Sequence, residues 1–89
     1  MKSVTTARFR NAFAALPKDV QEKARRCYNL WKQDNRHPGV HYKQVHTSDP
    51  IYSVRIGSSY RALGVKKEGT MVWFWIGSHE EYNKLISQL

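Results

Sequence analysis

Residues 51–82 read Ile51-Tyr-Ser-Val-Arg-Ile-Gly-Ser-Ser-Tyr60-Arg-Ala-Leu-Gly-Val-Lys-Lys-Glu-Gly-Thr70-Met-Val-Trp-Phe-Trp-Ile-Gly-Ser-His-Glu80-Glu-Tyr82. The pattern predicts three short strands, Ile51–Ile56, Tyr60–Lys66 and Met71–Ile76, joined by Gly57-Ser58-Ser59 and Lys67-Glu68-Gly69-Thr70. Both connectors have hairpin turn chemistry. Side chains alternate across a strand, so Ile51, Ser53 and Arg55 share one face and Tyr52, Val54 and Ile56 the other. The second set suits a core; Ser53 and Arg55 are expected to point outward. Trp73 and Trp75, two apart, are expected on one face, with one or both in the core. The last strand runs into Gly77-Ser78, and His79 follows at once, an ionisable ring at the mouth of a basic sheet.

Upstream lie two predicted helices. Phe9, Ala12, Phe13 and Leu16 share one face of Ala7–Leu16, with Thr5 or Thr6 as cap. Pro17 suits a first helical position, and Asp19 and Glu22 suit the positive end of a second helix from Pro17 to Gln33. Its apolar stripe is Val20, Ala24, Cys27, Leu30 and Trp31. Two helices so closely joined predict an antiparallel hairpin. Asn35–Gly39 breaks the helix, Val40–His46 reads as a strand, and Glu80–Leu89 as a closing helix anchored by Leu85 and Ile86 and capped by Ser78. Met1–Thr6 offers an edge strand at Lys2-Ser3-Val4. Helices in one block and strands in another imply a single α+β domain over 1–89: a helical hairpin on an antiparallel sheet of about four strands, with a short C-terminal helix. The other face, or the sheet's edge, is left free for work.

With 89 residues the chain can bury one modest core. Fifteen Lys and Arg against seven Asp and Glu give a formal charge of +8. A field that strong on so small a body favours RNA, DNA or an acidic protein partner. No apolar run is long enough to span a membrane, and no signal sequence is read at the start. The single cysteine, Cys27, excludes an internal disulfide and fits a reducing, cytoplasmic setting. It falls on the apolar stripe and reads as a buried small group. His37, His41 and His46 lack a Cys or carboxylate cluster at ligand spacing, so no metal is expected. No phosphate-binding glycine loop is present, and no cofactor is expected.

The candidate working surface collects Lys43, His46, Arg55, Tyr60, Arg61, Lys66, Lys67, His79 and Tyr82. Cleaving RNA without a metal needs a base for the ribose 2′-hydroxyl, an acid for the leaving 5′-oxygen, and cations on the phosphate. His79 with His41 or His46 supplies the first two. Arg55 and Arg61 supply the third, because a guanidinium meets phosphate oxygens in pairs. Tyr82, Trp73 or Trp75 can stack a base. Tyr60 and Arg61 are adjacent on one strand, so only one of them shares a face with Arg55.

The segments Tyr52-Ser-Val-Arg55-Ile, Tyr60-Arg61-Ala-Leu-Gly and Trp75-Ile-Gly-Ser-His79-Glu-Glu-Tyr82, with Leu16-Pro17-Lys-Asp-Val20 upstream, resemble the RelE/ParE superfamily of bacterial toxins. The resemblance extends over nearly the whole domain, and its most specific part is the Tyr-Arg strand followed by Ile-Gly-x-His. It implies a small cytoplasmic toxin neutralised by an antitoxin that contributes an acidic helix or strand. The RelE-like branch cleaves mRNA in the ribosomal A site without a metal. On that resemblance Arg55, Arg61, His79 and, more loosely, Tyr82 are the catalytic set, with Lys43, His46, Lys66 and Lys67 steering RNA. Ser53 stands where some members carry a second basic residue, and Gly64 where an aromatic or apolar residue is usual. The ParE-like branch shares the fold but poisons DNA gyrase. Two alternatives therefore stand beside the ribonuclease: a gyrase-directed or non-toxic binding relative, and a small RNA-binding module without cleavage.

Overall fold

A computed structural model describes residues 1–88 as β1 (Lys2–Thr5), α1 (Ala7–Ala14), α2 (Lys18–Gln33), β2 (Lys43–Gln44), β3 (Ile51–Ile56), β4 (Tyr60–Lys67), β5 (Thr70–Ser78) and α3 (His79–Ser87). Leu89, the expected last residue of the closing helix, lies outside the described residues. The class is the α+β arrangement expected. The sheet has five strands rather than four, in the order β1-β5-β4-β3-β2. The Lys2-Ser3-Val4 segment is the added one: β1 runs parallel to β5, and every other pairing is antiparallel.

The two predicted hairpins form. Glu68 and Gly69 both adopt positive φ (50° and 78°), as a two-residue type I′ connection requires, and Gly57 (φ 60°) turns β3 into β4. The expected strand Val40–His46 shrinks to Lys43-Gln44. His41 sits at φ 52°, which breaks the extended run. Val40, fully buried, still docks against β3 by accepting a hydrogen bond from the Arg55 amide at 2.9 Å.

Val54, Ile56, Ala62, Met71, Trp73 and Ile76 form the inner face of the sheet. Cys27 and Trp31 of α2 pack on it, with Phe9, Ala12 and Phe13 of α1 partly buried against it. Leu30, expected on the α2 stripe, is 36% exposed; Val20, Cys27 and Trp31 are the buried positions. Pro17 lies one place earlier than expected, at the N-cap of α2, where its lack of an N–H costs nothing. Thr6 caps α1 by accepting from the Phe9 amide. Ser78 and Glu81 form a reciprocal capping box that starts α3 directly at the end of β5.

The third helix does not join the other two. It crosses the opposite face of the sheet, so that face is partly covered rather than free. Its buried anchor is Tyr82; Leu85 and Ile86, the anchors expected, are only half-buried.

Candidate functional site

Register decides which side chains meet. Arg55 of β3 pairs with Arg61 of β4, which in turn pairs with Gly77 of β5. Arg61, not Tyr60, therefore shares the face of Arg55. Tyr60 pairs with Ile56 and packs against the core. Lys43 pairs with Ser53 and so belongs to the arginine face as well. Lys67 falls on it by alternation from Arg61. Lys66 pairs with Met71, a core residue, and is assigned to the opposite face at the tip of the β4–β5 hairpin. His46 is occupied otherwise: its Nδ1 accepts from the amides of Ser48 and Asp49, at 3.2 and 2.8 Å, and holds the turn before β3.

The two guanidinium groups are like charges directly opposite on neighbouring strands, an arrangement that destabilises a sheet. Arg55 is exposed, whereas Arg61 is only 8% exposed. Burial, and then the Arg55 charge, pull Arg61 below the usual arginine value; the Tyr82 phenol opposes this. Arg61 Nη1 donates to the Tyr60 carbonyl at 2.9 Å. Among the described residues no carboxylate stands within ion-pair distance of either arginine. Two adjoining cations without an internal counterion make a ready anion site.

Helix α3 finishes the site. Tyr82 packs 5.9 Å beneath the Arg61 guanidinium, and its hydroxyl donates to Ser53 Oγ at 3.4 Å. Ser53 is thereby buried to 2% exposure, where the strand pattern pointed it to solvent. His79, exposed at the first turn of α3, lies over Tyr82 with ring centroids 6.4 Å apart. Its backbone amide is fixed to the Ser59 carbonyl at 2.7 Å. Arg61 and His79 thus both approach the Tyr82 ring, and Arg55 is the strand partner of Arg61.

The tryptophans part company, contrary to the shared face expected. Leu63 pairs with Trp75 but Gly64 pairs with Trp73, so Phe74 is an extra residue in β5. This bulge reverses the alternation, sending Trp73 into the core and Trp75 to the arginine face. A Cβ on Gly64 would stand 2.7 Å from both Trp73 and Met71, which explains glycine where a larger strand residue was expected. The small residues beside each indole, Gly64 and Gly77, were the sequence signal for this rearrangement.

On the inner face a cleft of about 500 Å³ remains between α1, α2 and the sheet, with Phe9, Phe13, Trp31, Ile56 and Ile76 in its wall and Arg10 and Arg25 at its rim. Cys27 also lines it. Burial raises its thiol to about 11, so it is not an activated nucleophile.

A family model described as the ParE-like toxin domain matches residues 18–84. The chain belongs to this family, within the RelE/ParE superfamily. The fold agrees with solved toxins. It is similar to a chain of the RelB–RelE antitoxin–toxin complex from Methanococcus jannaschii, with TM-score 0.73 and 11% identity over 92% of this chain and 96% of that one. It is similar to YafQ from E. coli strain BL21(DE3), with TM-score 0.71 and 9% identity over 91% and 96%. The isolated E. coli RelE toxin matches with TM-score 0.65 and 15% identity over 98% and 96%. No curated protein matches the chain in sequence. Among the described residues of this ParE-like domain, no helix is long and apolar enough to cross a membrane, and no three His, Cys, Asp or Glu residues gather as a metal-binding group.

Proposed function

We propose that this ParE-like chain is the toxin of a toxin–antitoxin pair and cleaves mRNA on the ribosome, in the cytoplasm, without a metal or other cofactor. The observation that carries the reading is the Arg55–Arg61 pair, a cationic seat beside His79 and Tyr82. In this reaction a base takes the ribose 2′-hydroxyl proton, the 2′-oxygen attacks phosphorus, and the 5′-oxygen leaves with a proton from the acid. The products are a 2′,3′-cyclic phosphate and a free 5′-hydroxyl. Arg55 and Arg61 hold the phosphate as its charge grows. His79 serves as one proton-transfer group. His41 is the better second one: it directly follows Val40, whose carbonyl binds the Arg55 amide. His46 stands at the other end of β3, where Val45 bonds to Ile51, roughly 13 Å of strand away. Lys43 and Lys67 steer RNA to this face, with Lys66 and His46 further out.

The antitoxin in this reading is an acidic amphipathic segment. The cleft between α1 and α2 suits it, with an apolar wall and Arg10 and Arg25 at the rim. Antitoxin and RNA then occupy opposite faces of β3 and β4.

Induction in a bacterial host, with mRNA 5′ ends mapped beside a His79→Ala variant, tests the reading. New cuts within translated frames, lost in the variant while antitoxin binding persists, are expected. Full toxicity of His79→Ala removes the catalytic assignment. Arrest with intact messages and DNA-damage signalling favours the second reading, a gyrase-directed toxin, which the ParE-like family match supports. Neither arrest nor cuts leaves a binding protein.

A further inference from the structure

Trp75 differs from the other two tryptophans in ways that core packing does not require. Trp31 and Trp73 are 2% and 4% exposed and meet edge to face at 5.3 Å inside the core. Trp75 is half-buried on the arginine face, where the bulge at Phe74 puts it. Its six-membered ring lies across Gly77: a methyl group there would stand 2.7 Å from Cζ2 and 3.0 Å from Cη2. Gly77 is the strand partner of Arg61. On another side Tyr82 approaches with ring centroids 6.4 Å apart, inclined at 42°. Tyr82 is itself tied to Ser53. The indole is thus fixed by neighbours, keeps part of its surface open to solvent, and covers the strand partner of Arg61, with Arg55 one strand further on.

A rigid, half-open aromatic beside a phosphate seat is what single-stranded nucleic acid uses: the backbone follows the cations and a base stacks on the ring. We propose that Trp75 is the base platform of this site, stacking a nucleobase whose adjoining phosphate lies on Arg55 and Arg61. The platform rests on the RNA reading above and adds to it the position at which a base is held. Stacking tolerates any base but grows with ring overlap, so purines bind better than pyrimidines at this position. Trp75 positions substrate and transfers no proton.

The test is binding of a fluorescent, uncleavable single-stranded 2′-O-methyl RNA hexamer to the full chain, with Trp75→Leu, which keeps an apolar group over Gly77, and Trp75→Phe, which keeps a ring. Stacking by one base predicts about 5- to 150-fold weaker binding by Trp75→Leu and a smaller loss by Trp75→Phe. The salt dependence of binding stays as in the native chain, since no phosphate contact is lost. Placing an abasic site in the hexamer removes the difference between Trp75→Leu and the native chain. RNA also quenches tryptophan fluorescence in the native chain but not in Trp75→Phe, which needs no leucine variant to fold. Equal binding by Trp75→Leu, or unchanged quenching in Trp75→Phe, overturns the platform while leaving the arginine site standing. Failure of the native chain to bind the hexamer at all overturns the platform together with the RNA reading beneath it.

Discussion

On the α1/α2 side the strands present Val54, Ile56, Ala62, Trp73 and Ile76, all buried; on the α3 side the same strands present Ser53, Arg55, Arg61 and Trp75. The first face removes apolar area from water, the main favourable term in folding. The second places two like charges opposite each other and covers one of them, an arrangement that opposes folding. Two faces of one sheet thus divide the labour: one holds the chain together, and the other carries unfavourable electrostatics that binding of an anion would relieve. Even the stabilising face is imperfect. The indole N–H groups of Trp31 and Trp73 are buried without hydrogen-bond partners, and a cleft stays open beside them. The inner face is therefore set up to gain from a partner as well.

The largest stability effect should come from the inner face. Trp73→Ala is expected to cost about 3–5 kcal/mol of unfolding free energy in urea titration, enough to leave a chain this small largely unfolded. Trp75→Ala should cost clearly less, because its ring is only half-buried. If the two losses are equal, the division between faces is wrong.

Alkaline titration examines the same inner face through Cys27. Burial raises its thiol from the ordinary 9.0 to about 11. The unfolded chain therefore loses this proton first. Stability contributed by Cys27 is complete below about pH 9 and is lost as pH rises through about 11. Its contribution to stability is on the order of 2 kcal/mol once residual solvent screening is allowed for. Denaturant midpoints should fall across that window, and Cys27→Ala should flatten the fall. Tyr42, raised to about 12 by burial and by neighbouring Tyr52, extends the decline to higher pH.

The smallest effect has the opposite sign. Arg61→Leu should leave stability unchanged or raise it by up to about 1 kcal/mol, because a buried like charge is replaced by an apolar group beside Tyr82. The same substitution should reduce mRNA cleavage by at least a hundredfold. A strongly destabilised Arg61→Leu would show that the arginine supports the fold rather than the ligand.

Much of this was legible in the chain. Alternation in Tyr52-Ser-Val-Arg-Ile located the inner face of β3, the Lys67-Glu68-Gly69-Thr70 connector located a tight hairpin, and Ser78 located the start of α3. These features depend on neighbours in sequence: strand alternation, turn sterics and capping act within a few residues. The pairing of Arg61 rather than Tyr60 with Arg55 was narrowed by alternation but chosen by register. The shortening of β2 was not visible, since it turns on one positive φ at His41 that the residue type does not demand.

The α+β class, the element order, the positive charge and the buried stripe through Cys27 and Trp31 follow from the order of residues alone, because periodicity and composition are local properties. Three other features arise only when the chain packs. β1 became a fifth strand by parallel pairing with β5. The bulge at Phe74 sent Trp73 and Trp75 to opposite faces. Helix α3 crossed the arginine face, buried Ser53 and Arg61, and brought His79 and Tyr82 to the cationic pair. Each depends on contacts between residues distant in the chain, where register and space filling, not residue preference, select the outcome.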